Sequence, residues 1–200
     1  MRSVLQIAAV THLLRARLQG AVAAGDLGGM LETEVTVSSL HPAALDDFAG
    51  GGALLNVFLL RVSQLRLATP PSRGEEGDAG PMLKVALSYL VSARAAHAFD
   101  AEVLLGEAMR EFEDTALLTP TMILGEAASE ALSPAPRSQL VAGALTQLGE
   151  QADPLRIMHQ DLDLAAMTAL WHALDTPLRP SALYEISPVE LSRDAPGATP

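Results

Sequence analysis

The stretch LLNVFLLRV, residues 54–62, is almost continuously apolar over the length of a β-strand. Such a run is typical of a central strand covered on both faces, because neither side of it is left polar for water. A single amide, Asn56, interrupts the run. A buried amide has to find hydrogen-bond partners. We therefore predict that Asn56 lies on a central strand with its side chain bonded to backbone.

The segments on either side of this stretch alternate between apolar and polar residues. Residues 33–40 (TEVTVSSL) and residues 82–91 (MLKVALSYLV) both place apolar side chains at every second position, which predicts half-buried strands. Between the last two strands, residues 68–81 (ATPPSRGEEGDAGP) hold proline, glycine and charge with nothing to bury. That composition predicts a flexible surface loop.

Helices and two further strands surround these three strands. Apolar residues at helical spacing predict helices over residues 3–24 and about 99–114, and residues 138–149 are compatible with a short helix. Asp161 or Asp163 is placed to cap one more helix, which Pro177 stops. Residues 155–159 (LRIMH) have the pattern of a strand, and a last strand begins near Ser181.

The order is helix, three strands, helix, strand, helix, strand. Consecutive strands without helices between them predict an α+β fold, with a mixed or antiparallel sheet flanked by α-helices. The 200 residues fit one domain. We expect this domain over residues 1–191 and a flexible tail over residues 192–200, which are polar and contain proline and glycine.

Charge and composition argue against several classes of function. A net charge of −11 argues against a nucleic-acid binder, which needs a basic patch to displace counterions. It also gives no reason to expect attraction to anionic lipid. No apolar run reaches the ~18 residues of a membrane-spanning helix, and the N-terminal segment lacks the features of a signal peptide. With no cysteine, disulfides and thiolate chemistry are excluded. We expect synthesis and assembly in the cytoplasm.

The sequence contains no recognisable catalytic, cofactor or metal motif. His97 and Asp100 have the nearest thing to a metal spacing, and their expected role is an exposed histidine beside a helix start. The glycines at 50–52 precede a strand, whereas a phosphate-binding loop needs glycines between a strand and a helix. We predict no catalytic residues, no cofactor and no metal. An enzyme whose site assembles from distant residues, such as His159 and His172, is the alternative.

An ordered set of motifs nevertheless resembles one family over most of the chain. The motifs lie in ALLNVFLLRVSQ (53–64), DAEVLLGEAMREFEDTALLTP (100–120) and LRIMHQDLDLAAMTALWHALDTPLRPSALYEISPVEL (155–191). The chain resembles the tail-terminator, or cap, proteins of phage-tail-like contractile injection systems of the antifeeding-prophage and virulence-cassette type. The matching residues are Leu55, Asn56, Phe58, Leu59, Leu104, Leu105, Gly106, Ala108, Met109, Leu170, Trp171, Ala173, Leu174, Thr176, Pro177, Arg179 and Tyr184.

The resemblance implies a structural role without catalysis. It implies a phage tail-terminator-like fold and a homohexameric ring that ends the inner tube and anchors the last sheath layer. Its partners would be other copies of the chain, the inner tube protein and the contractile sheath protein, with no nucleic acid and no membrane contact. An adaptor of another phage-like baseplate or tail module is a further alternative, beside the small enzyme.

The C-terminal strand is the candidate interface. Pro188 lacks an amide proton, so it either sits at an edge where another chain can pair or merely ends the strand. Ala182, Tyr184 and Ile186 share one strand face and should pack on the core. The apolar phase changes after Pro188, as it does at a bulge. The residues predicted to meet a subunit or the sheath are Arg179, Leu183, Glu185, Ser187, Val189 and Leu191.

Overall fold

A six-stranded sheet organises the part of the chain that the computed structural model describes, residues 5–45, 52–65, 83–97, 99–151 and 153–191. The strands stand in the order β1-β2-β3-β6-β5-β4. β1 pairs with β2 in parallel, and every other pair is antiparallel. The strands are β1 (Val35–Ser38), β2 (Ala53–Gln64), β3 (Leu83–Arg94), β4 (Leu117–Leu118), β5 (Leu155–Gln160) and β6 (Ser181–Leu191). The mixed sheet confirms the predicted fold class.

Six α-helices and one short 3-10 helix, Pro42–Leu45, accompany the sheet in these described residues. The predicted strands and helices follow one another in the predicted order, and the chain also forms two four-residue helices, the two-residue strand β4 and a helix over Pro120–Ala131. The helices are α1 (Gln6–Ala24), α2 (Leu27–Met30), α3 (Asp100–Asp114), α4 (Pro120–Ala131), α5 (Pro136–Gly149) and α6 (Leu164–Ala173).

One face of the sheet, here called the inner face, carries the hydrophobic core. Side chains from α1, α3, α4 and α5 pack on it as one cluster. Tyr89, on β3, is fully buried there, and its hydroxyl lies 2.9 Å from the Thr11 hydroxyl on α1. Burial raises the pKa of Tyr89 far above its usual value, because the phenolate would be desolvated. Helices therefore cover the inner face of the long apolar strands. Leu54 and Leu90, on the other face, are buried as well.

Asn56 lies where the sequence placed it. It sits on β2 between β1 and β3 and is fully buried. Its Oδ1 accepts hydrogen bonds from Ser38 Oγ at 2.7 Å and from Leu40 N at 2.9 Å. Its Nδ2 donates to Leu40 O at 3.0 Å. The predicted bonding to backbone is confirmed, and the amide fixes the path of the chain as it leaves β1.

The region between β4 and α5 differs most from the sequence prediction. The sequence predicts no helix between about residue 114 and residue 138, but Thr119–Pro120 starts helix α4. Thr119 is the N-cap, with its hydroxyl accepting from Met122 N at 3.4 Å, and Pro120 occupies the first turn, where its missing amide costs nothing. A threonine before a proline is as good a helix start as a turn, and the following residues decide between them.

Two predicted segments lie outside the described residues, the loop over 68–81 and the tail over 192–200. The division into a domain over 1–191 and a separate tail therefore stays a prediction.

Candidate functional site

The position of the C-terminal strand contradicts the edge-strand interpretation. β6 pairs with β3 on one side and with β5 on the other, so it stands inside the sheet. Pro188 is accommodated in a different way. The pairing with β3 shifts register between Val85 and Leu87, and the pairing with β5 stops at Ser187. Pro188 thus lies at a bulge opposite β3 and just past the last residue paired with β5, where no interstrand hydrogen bond requires an amide proton.

Residues before the bulge alternate as the sequence predicted. Ala182, Tyr184 and Ile186 are buried on the inner face, at 5%, 4% and 0% exposure. Tyr184 meets Phe112 of α3 edge-to-face, with ring centroids 4.9 Å apart. Burial also raises the pKa of Tyr184. This half of the predicted strand is core.

The other side of the same strand forms a surface. Leu183 and Glu185 are half-buried and face away from the core, while their cross-strand neighbours on β5 are Gln160 and Met158. Met158 is exposed, and so is Arg156 at the start of β5. We call this surface the outer β5–β6 face and define it by Arg156, Met158, Leu183 and Glu185.

The change of apolar phase after Pro188 directs side chains of the last strand residues into the subunit's own core. Val189 is fully buried in the core, Ser187 is 8% exposed, and Leu191 packs partly against the core. The side chains of Ser187 and Val189 are therefore inaccessible in this conformation, which leaves Leu183, Glu185 and Leu191 as the more accessible members of the predicted interface on this strand. An interface role for these residues stays a prediction.

Side chains take the place of a neighbouring strand beyond the bulge. Gln151 Nε2 donates to Pro188 O at 3.1 Å, and its Oε1 accepts from Glu190 N at 3.4 Å. Lys84 Nζ lies 2.6 Å from Asp153 Oδ2 and 2.9 Å from Glu190 Oε1. Hydrogen bonds to Asp153 and then Glu190 raise the pKa of Lys84, because both favour its charged form. The end of β6 is thus fixed to β3 and to the turn before β5.

Arg179 lies in the connection between α6 and β6. Its guanidinium donates to Pro42 O at 3.4 Å and to Thr176 Oγ1 at 3.3 Å. These bonds join the connection to the 3-10 helix at the far end of the sheet. Arg179 therefore has a structural role within the subunit, and a carboxylate partner from a neighbour stays a prediction.

Helix α6 stands apart from the core helices. Asp163 caps it, accepting from Ala166 N at 2.7 Å, as predicted. Trp171 is its one buried residue, and the indole nitrogen donates to Ser181 Oγ at 3.1 Å. Leu164, in the first turn of α6, is 73% exposed. Met167 and Leu170 are half-buried, and the other residues of this apolar helix are exposed. An exposed apolar side is typical of a surface that meets another protein.

The histidines lie in different parts of the fold. His159 meets the Tyr184 ring edge-on at 5.3 Å and lies 3.4 Å from Asp161. His172 is exposed on α6, and His97 is exposed before α3 as expected. His41 rests edge-on against Phe58. No described contact joins His159 to His172, the pair that the alternative enzyme interpretation named.

His12 is the histidine with a new set of neighbours. Its Nε2 lies 3.3 Å from a carboxylate oxygen of Glu126 and 3.3 Å from one of Glu130. His12 also lines a groove of about 590 Å³ beside α1, together with Ile7, Ala8, Thr11, Arg15, Ser39 and Leu59. Sequence reasoning missed this cluster because α4 had not been recognised. The signal was present, since the two glutamates are four residues apart.

None of the helices in the described ranges has the length and apolar content needed to cross a bilayer.

Comparison with known proteins agrees with this architecture. The model of the Pvc16 N-terminal domain matches residues 7–200. The structure of the sheath/tube terminator of an extracellular contractile injection system, PVC, in its extended state is similar, with a TM-score of 0.60 and 17% identity over 97% of this chain and 60% of that one. The anti-feeding prophage tube-terminating cap matches at a TM-score of 0.47 and 18% identity, over 83% of this chain and 51% of that one.

The chain thus spans 60% and 51% of the lengths of these two proteins. No curated protein sequence matches it significantly. Because the family model covers almost the whole chain, the resemblance seen in the sequence is confirmed. The chain belongs to the Pvc16 N-terminal domain family, and its fold is that of a tail terminator.

Proposed function

We propose that this chain caps a contractile injection particle, forming a hexameric ring that ends the inner tube and anchors the last sheath layer. The observation that carries the proposal is the match to the Pvc16 N-terminal domain over residues 7–200. The shared fold with a sheath/tube terminator supports it. Both are findings about structural components of such particles, which favours a role without catalysis.

The subunit has a surface suited to a second copy of itself. The outer β5–β6 face carries Met158, 38% exposed, next to the positive Arg156 and the negative Glu185. The apolar helix α6, with Leu164 exposed, follows β5 directly. An apolar centre with charges of both signs at its rim is the usual composition of a protein interface. We place the contact between neighbouring subunits of the ring here.

The sheath and the tube are the proposed partners of the assembled ring. Leu183 and Glu185 of the predicted interface lie on the outer β5–β6 face, so ring formation and partner binding would involve neighbouring surfaces. A net charge of −11 on each chain would keep isolated subunits soluble before assembly.

The mass of the purified chain tests the ring. We expect a particle of six times the 20.9 kDa chain mass in native mass spectrometry. Met158→Lys should reduce it to single subunits, because the ammonium would be desolvated at the contact. In the single subunit the new lysine can pair with Glu185 across the strands, so folding should be kept.

Leu132→Lys is the matched control, because Leu132 is 87% exposed at the end of α4, on the helical layer. It should leave the ring intact. A chain that remains a single subunit at high concentration, or a ring that survives Met158→Lys and is lost with Leu132→Lys, would contradict the proposed contact.

A further inference from the structure

We propose that His12, Glu126 and Glu130 bind a divalent transition-metal ion, of which Zn²⁺ is the probe of choice. The three ligand atoms, one from each residue, all lie within 4.8 Å of one another. They come from two helices, α1 and α4, and His12 precedes Glu126 by 114 residues in the chain. We call them the His12 cluster.

The distances fit metal coordination better than hydrogen bonding. Zinc binds histidine nitrogen and carboxylate oxygen at about 2.0–2.2 Å, so two ligands of a tetrahedral ion stand about 3.3 Å apart. His12 Nε2 is 3.3 Å from an oxygen of each glutamate. A charge-assisted hydrogen bond between nitrogen and carboxylate is shorter, about 2.7–2.9 Å. One Nε2–H can also make a straight hydrogen bond to only one of the two carboxylates.

The charges of the His12 cluster call for a cation. Glu126 and Glu130 are four residues apart on α4, so their carboxylates repel each other on one helix face. Each cluster side chain is only about a quarter exposed, at 24%, 25% and 23%, which weakens screening by water. An ion between the carboxylates would remove the repulsion, and an imidazole nitrogen in the ligand set favours zinc or a similar transition metal over magnesium.

The site has room for a fourth ligand. His12 also lines the groove beside α1, so an ion at the His12 cluster can be reached from solvent. Three protein ligands plus one open position is the arrangement of an accessible zinc site. Water would take that position in the isolated subunit. A bound ion would tie α4, which packs mainly on α5, directly to α1.

Metal content and thermal stability test the proposal. The purified chain is stripped with chelator and dialysed against micromolar ZnCl₂, and zinc is counted by mass spectrometry. We expect one zinc per chain and a rise in the unfolding midpoint with ZnCl₂ but not with MgCl₂. His12→Ala and Glu130→Gln should each weaken zinc binding by more than about 100-fold, since even the loss of an outer hydrogen-bond partner costs about 10- to 100-fold.

His172→Ala and Glu150→Gln are the matched controls, because both residues are exposed and outside the His12 cluster. They should keep the zinc. Circular dichroism checks the folding of each variant, and the isosteric Glu126→Gln and Glu130→Gln decide the result if His12→Ala unfolds. The proposal is wrong if the chain takes up no stoichiometric zinc, or if the variants of the cluster retain as much as the controls.

Discussion

Replacing Trp171 by alanine is expected to release helix α6 from the sheet while the core stays folded. Trp171 is 1% exposed and is the one buried residue of α6. Truncation of a buried tryptophan costs about 3–5 kcal/mol, and here it also removes the hydrogen bond to Ser181. Trp171 stands outside the main core cluster on the inner face. A detached helix of this length is unstable in water, so the loss should be local.

Hydrogen exchange resolved along the chain is the measurement for this variant. Amides of α6 should exchange at least about 100-fold faster, while those of α1 and β3 keep their protection. Trp171→Phe keeps one aromatic ring but loses the hydrogen bond and part of the indole volume, so it should have a smaller effect than Trp171→Ala. Equal acceleration across α1 and β3 would show that α6 belongs to the same cooperative unit as the core.

Replacing Asn56 by alanine is expected to destabilise the whole subunit by about 2–4 kcal/mol. The change leaves the N–H and C=O of Leu40 and the hydroxyl of Ser38 without their partner. Each unsatisfied buried group costs about 1–3 kcal/mol, and the partly exposed Leu40 sits at the lower end of that range. Urea denaturation of the two proteins measures the difference.

Ser92→Ala is the control for Asn56→Ala. Ser92 faces Asn56 across β2 and β3 and is equally buried, but its hydroxyl has no hydrogen-bond partner among the described residues. Its removal should therefore be neutral or stabilising. If both variants lose the same stability, packing rather than the amide network explains the effect.

Patterns in the sequence predicted the strands and the longer helices because their residues bury one face or both. The apolar run around Asn56, the alternation of β3 and the Asp163 cap each report a local requirement that the chain satisfies locally. Helix α4 was missed because Thr119–Pro120 fits a turn as well as a helix start. Whether such a pair forms a turn or starts a helix depends on the residues that follow and on tertiary packing.

The position of β6 in the sheet could not be predicted from its residues alone. Pro188 indicates a position without an interstrand hydrogen bond. In the structure this position is a bulge against β3, just after the pairing with β5 has ended, and it lies inside the sheet. Strand order depends on which strands meet after folding, and the sequence around Pro188 does not encode it. The spacing of Glu126 and Glu130 is visible in the sequence, but their meeting with His12 is not, since α1 and α4 meet only in the folded chain.

Electron microscopy of inner tubes is the most direct test of the capping function. The tubes are assembled from the cognate tube protein with and without this chain, and the chain carries a gold label at an exposed residue such as Leu132. We expect the label at one end of each tube only, and tube growth that stops when the chain is bound. Label distributed along the tube wall, or tubes that grow to the same length whether or not the chain is present, would contradict a capping function.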